Sequence, residues 1–228
     1  MQLKSSIFSA LCFLLLTSLT GASRCVMRGH CGLDEDLDKD IPCKVNAAPK
    51  PLPRSDWSLF REVCPDLAET VKQDYLSCCD VEQLKVLKED LQQPIDLGMK
   101  KHPHCLRNFR NIFCQLICSS NQSDFVNVVS SENNSQGHPY VTEVVYAVSE
   151  RFAEGSYNSC KDVKVKVVFN LMTFMCGLNC TPTKWLSFLG STASEGGHSP
   201  YKIKFQVTKD ATVKVKGIEL TPMDVDLV

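Results

Sequence analysis

The sequence predicts an α+β domain in which disulfide-tied helices are followed by a small antiparallel sheet. Three observations carry this prediction. Apolar residues recur at helical spacing through the middle of the chain. Near its end they alternate strictly with polar ones. Thirteen cysteines stand in a chain that begins like an exported protein.

The opening segment sets the compartment. Lys4 precedes an apolar stretch from Ile7 to Leu19, and small residues follow at Thr20, Gly21, Ala22 and Ser23. This order is that of a secretory signal peptide spanning residues 1–22, cleaved after Ala22. The apolar stretch is short of the roughly 20 residues a membrane span needs. No second candidate span follows, so the mature chain, 23–228, is expected to be soluble. A net charge of −1 provides no field to gather nucleic acid or anionic lipid. Apolar residues at 43% and charged residues at 22% exclude a disordered chain.

Removal of Cys12 with the leader leaves twelve cysteines, enough for six bridges whose pairing parity alone leaves open. A chain of this length can build a core without bridges, so they are expected to hold an irregular, loop-rich shape or a cavity. Cys114-x3-Cys118, Cys176-x3-Cys180 and the His102, His104, Cys105 cluster also have ligand-like spacing. In an oxidising route, bridging outranks zinc. Asn121, Asn133 and Asn179 begin glycosylation acceptor sequences. The first two lie in a polar stretch, residues 119–138, that reads as surface loop.

Residues 25–54 combine three cysteines, an acidic run (Asp34, Glu35, Asp36, Asp38, Asp40) and a proline-rich exit. The acidic run lacks the ligand order and turn glycine of a calcium loop and reads as solvated. The prolines impose an extended segment. Residues 55–120 read as helical. Asp80 and Gln83 have capping-box spacing, ahead of Val81, Leu84, Leu87 and Leu91 on one face. Leu106, Phe109, Ile112, Phe113, Leu116 and Ile117 mark the next helix, with Cys114 and Cys118 one turn apart. A third helix is expected over about 140–154, striped by Val141, Val144, Val145, Val148 and Phe152 and ended by Gly155. Tyr201, Ile203, Phe205 and Val207 alternate with polar residues, as do Val213 and Val215, which predicts a hairpin turning near Lys209 and Asp210. No nucleophile elbow, metalloprotease motif or phosphate loop is present, so an enzyme and a cofactor are not expected.

Several motifs together point further. Cys25-Val-Met-Arg-Gly-His-Cys31-Gly leads to Pro49-Lys-Pro-Leu-Pro and Cys64-Pro. Cys78-Cys79-Asp80-Val81-x-Gln83-Leu84 and Asn111-Ile-Phe-Cys114-x-Leu-x-Cys118-Ser follow, then Tyr157-Asn-x-Cys160-Lys-Asp-Val and Met175-Cys176-Gly. Over essentially the whole mature chain this pattern resembles the lumenal N-terminal domain of the Niemann–Pick type C intracellular cholesterol transporters. The resemblance implies a sterol pocket between helices and a small mixed sheet, in a shape related to folate receptors. It implies six bridges: Cys25–Cys78, Cys31–Cys43, Cys64–Cys114, Cys79–Cys118, Cys105–Cys160 and Cys176–Cys180. A further family cysteine falls at His102, and its bridging partner lies in a tail absent here. Both halves are missing together, from which a free-standing relative without the membrane region is expected.

A sterol is a rigid apolar slab with one hydroxyl, so it needs an apolar cleft and a few hydrogen-bonding groups at one end. The resemblance assigns the hydroxyl to Gln83, which as a capping residue has a second role open to it. It assigns the apolar lining to Leu87, Phe109, Ile112, Phe113, Leu189, Pro200, Tyr201 and Ile203, with Asn108 as a polar neighbour. Core packing would account for each apolar residue singly. Pro42 replaces a family asparagine that also contacts the hydroxyl, and Met27 replaces a tryptophan, so selectivity at that end is expected to be weaker or altered. Phe174, Met175, Trp185 and Phe188 match a family surface that passes sterol to a small soluble lumenal carrier. The expected protein binds and transfers a sterol, in an endosomal or lysosomal lumen or outside the cell. The alternatives are a pocket for another lipophilic or vitamin-like ligand and a ligand-free interaction domain.

Overall fold

The computed structural model of the chain describes residues 23–73, 75–165 and 169–228, and the predicted leader lies outside them. Strands β1 (Cys25–Asp34) and β2 (Lys39–Ala47) form an antiparallel hairpin. Its exposed connection is the acidic run, where Leu37 N–H donates to Asp34 Oδ1 at 2.9 Å. The segment therefore holds two strands that periodicity did not reveal, because charged residues and Pro42 interrupt its alternation. The register slips between Arg28 and Gly32, so residues 29–31 face Pro42 alone. Proline has no N–H for a ladder and is accommodated where the ladder is already broken.

The proline-rich exit forms β3 (Lys50–Pro51), which pairs with β4 (Leu76–Ser77). Between them run α1 (Trp57–Val63) and α2 (Pro65–Thr70). Helix α3 (Val81–Asp96) begins at the predicted capping box: Asp80 Oδ1 accepts from Gln83 N–H at 3.0 Å, and Gln83 Oε1 from Asp80 N–H at 3.2 Å. It buries Leu84, Leu87 and Leu91. Helix α4 (Pro103–Cys118) buries Phe109, Ile112 and Leu116 along the predicted stripe.

The structure then departs from the sequence reading three times. The expected surface loop at 119–138 contains a short helix, α5 (Gln122–Phe125), and a strand, β5 (Val126–Asn133). Its later residues are polar and wet, which disguised an edge strand as a loop. The expected helix at 140–154 is strand β6 (Pro139–Ser149) followed by helix α6 (Glu150–Cys160). Val144 and Val148 are four apart, a spacing common to both periods, and the β-branched run favours the strand. Ser149 caps α6, its Oγ accepting from Phe152 N–H at 3.0 Å. Gly155 lies inside the helix, where a β-carbon would overlap Leu227.

Next come the two-residue strands β7 (Lys164–Val165) and β8 (Phe169–Asn170), then α7 (Leu171–Cys176) and α8 (Pro182–Leu189). The third departure is the hairpin. The alternating segment forms β9 (Lys202–Thr208), but it pairs in parallel with β6, from Glu143–Lys202 to Ser149–Thr208. Val213 and Val215 belong to β10 (Val213–Val215), which pairs instead with β11 (Ile218–Leu220). The main sheet is therefore mixed, ordered β1-β2-β6-β5, with β9 also on β6. Since β5 runs along one edge of β6, β2 and β9 share the other edge, end to end.

Among the described residues, six disulfides close the structure: Cys25–Cys78, Cys31–Cys43, Cys64–Cys114, Cys79–Cys118, Cys105–Cys160 and Cys176–Cys180. These are the six pairs that the resemblance implied. Adjacent Cys78 and Cys79 tie the start of α3 to β1 and to the end of α4. Four bridges close loops of 39 to 55 residues, each worth on the order of 3–4 kcal/mol in the chain-entropy account. Among the described residues no helix is long and apolar enough to cross a membrane.

Gly190 ends α8 and fixes how β9 docks against that end, because Ile203 N–H donates to its carbonyl at 2.9 Å. A β-carbon there would overlap the Ile203 carbonyl. Gly190→Ala is therefore expected to lower unfolding free energy by about 1–3 kcal/mol, measured by denaturant titration with disulfides intact.

Candidate ligand-binding site

Between α3, α4 and the β1–β2 hairpin on one side and α7, α8 and β9 on the other lies a mostly apolar cleft enclosing about 200 Å³. Helical spacing builds its first two walls. Gln83, Val86, Leu87, Asp90, Leu91 and Pro94 recur at three and four residues along α3, and Phe109, Phe113, Leu116 and Ile117 do so along α4. Met27 and Pro42 contribute from the hairpin, and Leu189, Pro200, Tyr201 and Ile203 close the far side.

Ten of the twelve predicted pocket residues thus meet on one cleft. Two do not. Asn108 faces away, its Nδ2 donating to Ser159 Oγ at 3.1 Å and its Oδ1 accepting from Val228 N–H at 3.2 Å. Ile112 is packed in the core, where its carbonyl accepts from the Tyr146 hydroxyl at 3.2 Å. Both sit on α4 faces turned from the cleft. The sequence reading also missed lining residues. Val86, Leu91, Leu116 and Ile117 were legible as continuations of the α3 and α4 stripes. The polar rim was not, since its members come from distant segments. There Lys39 Nζ pairs with Asp90 at 2.8 Å and donates to the His198 carbonyl at 3.2 Å. His30 Nδ1 stands 3.2 Å from Asp40.

Gln83 is the polar centre of the cleft. Its Oε1 accepts from Asp80 N–H and, at 2.8 Å, from Gly29 N–H. The Gly29 donor is free for this bond because the bulge at 29–31 takes it out of the β1–β2 ladder. Both oxygen lone pairs are therefore used. No partner among the described residues takes the Nε2 hydrogens, and that nitrogen is not among the polar atoms sealed without a partner. The carboxamide thus commits its acceptor to the protein and keeps an unpaired donor on a residue that lines the cleft. Pro42, buried opposite the bulge, adds no donor of its own.

Around the mouth, Phe174 is 64% exposed, and Met175 and Phe188 are half-buried; all three line the cleft. Trp185, predicted beside them, is not a surface residue. It is fully buried, with ring centroids of Phe109 and Tyr157 each 6.2 Å away, and its Nε1 donates to Met175 Sδ at 3.3 Å. It lies on the inner face of α8, which carries Leu186 as well. Among the described residues no cluster of metal-ligating side chains is found.

A family model described as Niemann-Pick C1 N terminus matches residues 22–227. The chain belongs to this family. Within it, the NPC intracellular cholesterol transporter 1 of Sus scrofa is 32% identical over 212 residues, covering 89% of this chain and 16% of the transporter. The NPC1-like intracellular cholesterol transporter 1 of Homo sapiens is 28% identical over 215 residues, with the same coverages. The NPC intracellular cholesterol transporter 1 homolog 1 of Caenorhabditis elegans is 30% identical over 187 residues, 75% of this chain and 13% of that protein. The chain thus spans about 16% of the length of the first two of these curated relatives.

The burial contrast at the mouth of the cleft is directly testable. Trp185→Ala is expected to cost about 3–5 kcal/mol of stability. Phe174→Ser is expected to change it by less than about 0.5 kcal/mol. Both are read from denaturant unfolding.

Proposed function

We propose that the cleft binds cholesterol or a related sterol, with the Gln83 end receiving the hydroxyl. The observation that carries this is the division of the Gln83 carboxamide: its oxygen is spent on Gly29 and Asp80, while its amino group opens onto an apolar cleft. A rigid apolar ligand with one hydroxyl fits such a site, since burying that hydroxyl unpaired would cost about 1–3 kcal/mol. The relatives described above are cholesterol transporters, which supports the same ligand class.

In this proposal the exposed mouth is where sterol enters and leaves, with Phe174, Met175 and Phe188 contacting a small soluble carrier. Residues 1–22 act as the secretory leader, and the domain works in a lumenal or extracellular, oxidising compartment suited to six disulfides. Asn121, Asn133 and Asn179 are exposed, as glycan acceptors must be.

The test is equilibrium binding of radiolabelled cholesterol, with an analogue lacking the hydroxyl as competitor. Wild-type protein is expected to bind cholesterol saturably and to prefer it over the deoxy analogue about tenfold. Gln83→Met is expected to lower stability, through loss of the cap, and to bring that preference close to one. A lowered stability with an unchanged preference would reduce Gln83 to a capping residue. Phe174→Ser with Phe188→Ser is expected to slow sterol transfer to acceptor vesicles severalfold while leaving equilibrium affinity unchanged. Equal slowing and weakening would reject a separate exit surface.

A further inference from the structure

Tyr201 carries a hydroxyl that the apolar lining does not need. The residue is only 7% exposed and lines the cleft just ahead of β9. No hydrogen-bond partner for its phenol oxygen is found among the described residues, although its own backbone carbonyl is held by Ser199 Oγ at 2.6 Å. The side-chain atoms sealed without a partner are Arg110 Nε, Thr142 Oγ1 and Ser156 Oγ. The Tyr201 oxygen is not one of them, so it keeps accessible surface on a residue that lines the cleft. Burial also holds its ionisation far above the ordinary phenol range, so it stays a neutral donor and acceptor throughout the pH range of any cellular compartment.

The strand register places the backbone that carries this hydroxyl. Along one edge of β6, β2 ends its pairing at Cys43–Tyr140 and β9 begins at Lys202–Glu143. Pro42 and Tyr201 therefore abut the same stretch of β6, around Val141 and Thr142. Pro42 in turn faces the bulge whose Gly29 N–H is held by Gln83. Tyr201 and Gln83 thus flank the same end of the cleft, on either side of a proline that offers no hydrogen bond.

We infer that Tyr201 is a second polar reader of the ligand, sharing with Gln83 the hydroxyl of a rigid apolar alcohol. It rests on the sterol assignment above and adds a specificity-determining residue to it. The chemistry is complementary. A ligand hydroxyl has one donor and two acceptor sites. Gln83 Nε2 supplies a donor only, because its oxygen is committed. A phenol both donates and accepts, so it can accept a hydrogen bond from the ligand O–H or donate one to the ligand oxygen's second lone pair. Without a ligand hydroxyl, both groups face an apolar surface unpaired, which disfavours ligands lacking one.

The test is the binding of cholesterol and of its deoxy analogue to wild-type and Tyr201→Phe protein, which keeps the ring and removes one oxygen. Cholesterol is expected to weaken about three- to tenfold, while the deoxy analogue binds as well as before or better. In a double-mutant cycle with Gln83→Met, the two losses should be non-additive, since both act on one hydroxyl. Saturable cholesterol binding whose preference over the deoxy analogue is unchanged in Tyr201→Phe would overturn this inference and leave the sterol assignment standing. A loss confined to sterols oxygenated on the side chain would place Tyr201 at the other end and overturn it equally. Absence of saturable sterol binding by the wild-type protein would overturn both.

Discussion

The carboxamide of Gln83 joins three parts of the molecule that must agree for the cleft to exist. Its oxygen ties the first turn of α3 to the bulge in β1, and its nitrogen faces the space between them. The bulge exists because three residues stand opposite Pro42, and the freed Gly29 N–H would otherwise be an unpaired donor in a half-buried place. Cys78 and Cys79, just ahead of the helix, lock the same corner to β1 and α4. The local rule of a helix cap and the global rule of two adjacent disulfides therefore fix one side chain in one orientation. In the proposed function, a side chain held this way would lose little further entropy on meeting a ligand.

The same frame explains why so open an interior survives. Protein interiors pack densely, and an apolar void costs free energy in proportion to its size. Here the wall made of α3, α4 and the β1–β2 hairpin is tied by bridges across loops of 39 to 55 residues, so its collapse would require moving cross-linked elements. Trp185 belongs to this support. Packed against Phe109 and Tyr157, it holds α8 against the helices behind it, while Phe174 stays in solvent at the mouth. One short stretch of chain thus contributes both a core anchor and an exposed apolar rim.

What was legible in the sequence follows from how local each signal is. The start of α3 was readable because Asp80, Gln83, Leu84 and Leu87 carry cap and stripe within eight residues. α4 was readable because its stripe runs four turns. β6 was misread because Val141, Val144 and Val148 fit a helical face, and the β-branched residues between them had to decide. The partner of β9 was unreadable, since a parallel ladder to β6 is set by a crossover of some fifty residues, not by neighbours. Within the cleft, the cysteine frame and Gln83 came from motif resemblance. The rim of His30, Lys39, Asp90 and His198 converges from distant segments and has no sequence signature. Asn108 and Trp185 show the limit of carrying positions over one by one, because a helix face rotated slightly from the cleft turns a predicted contact into core.

The proposed function puts a sterol in this cleft with its hydroxyl at Gln83. A crystal structure of the disulfide-intact protein with bound cholesterol decides whether it lies there. The hydroxyl oxygen is expected about 2.7–3.2 Å from Gln83 Nε2, with the ring system between α3 and α4 and the tail toward Phe174. A sterol with its hydroxyl at the mouth, or a cleft closed by its own side chains with sterol bound elsewhere, would contradict it.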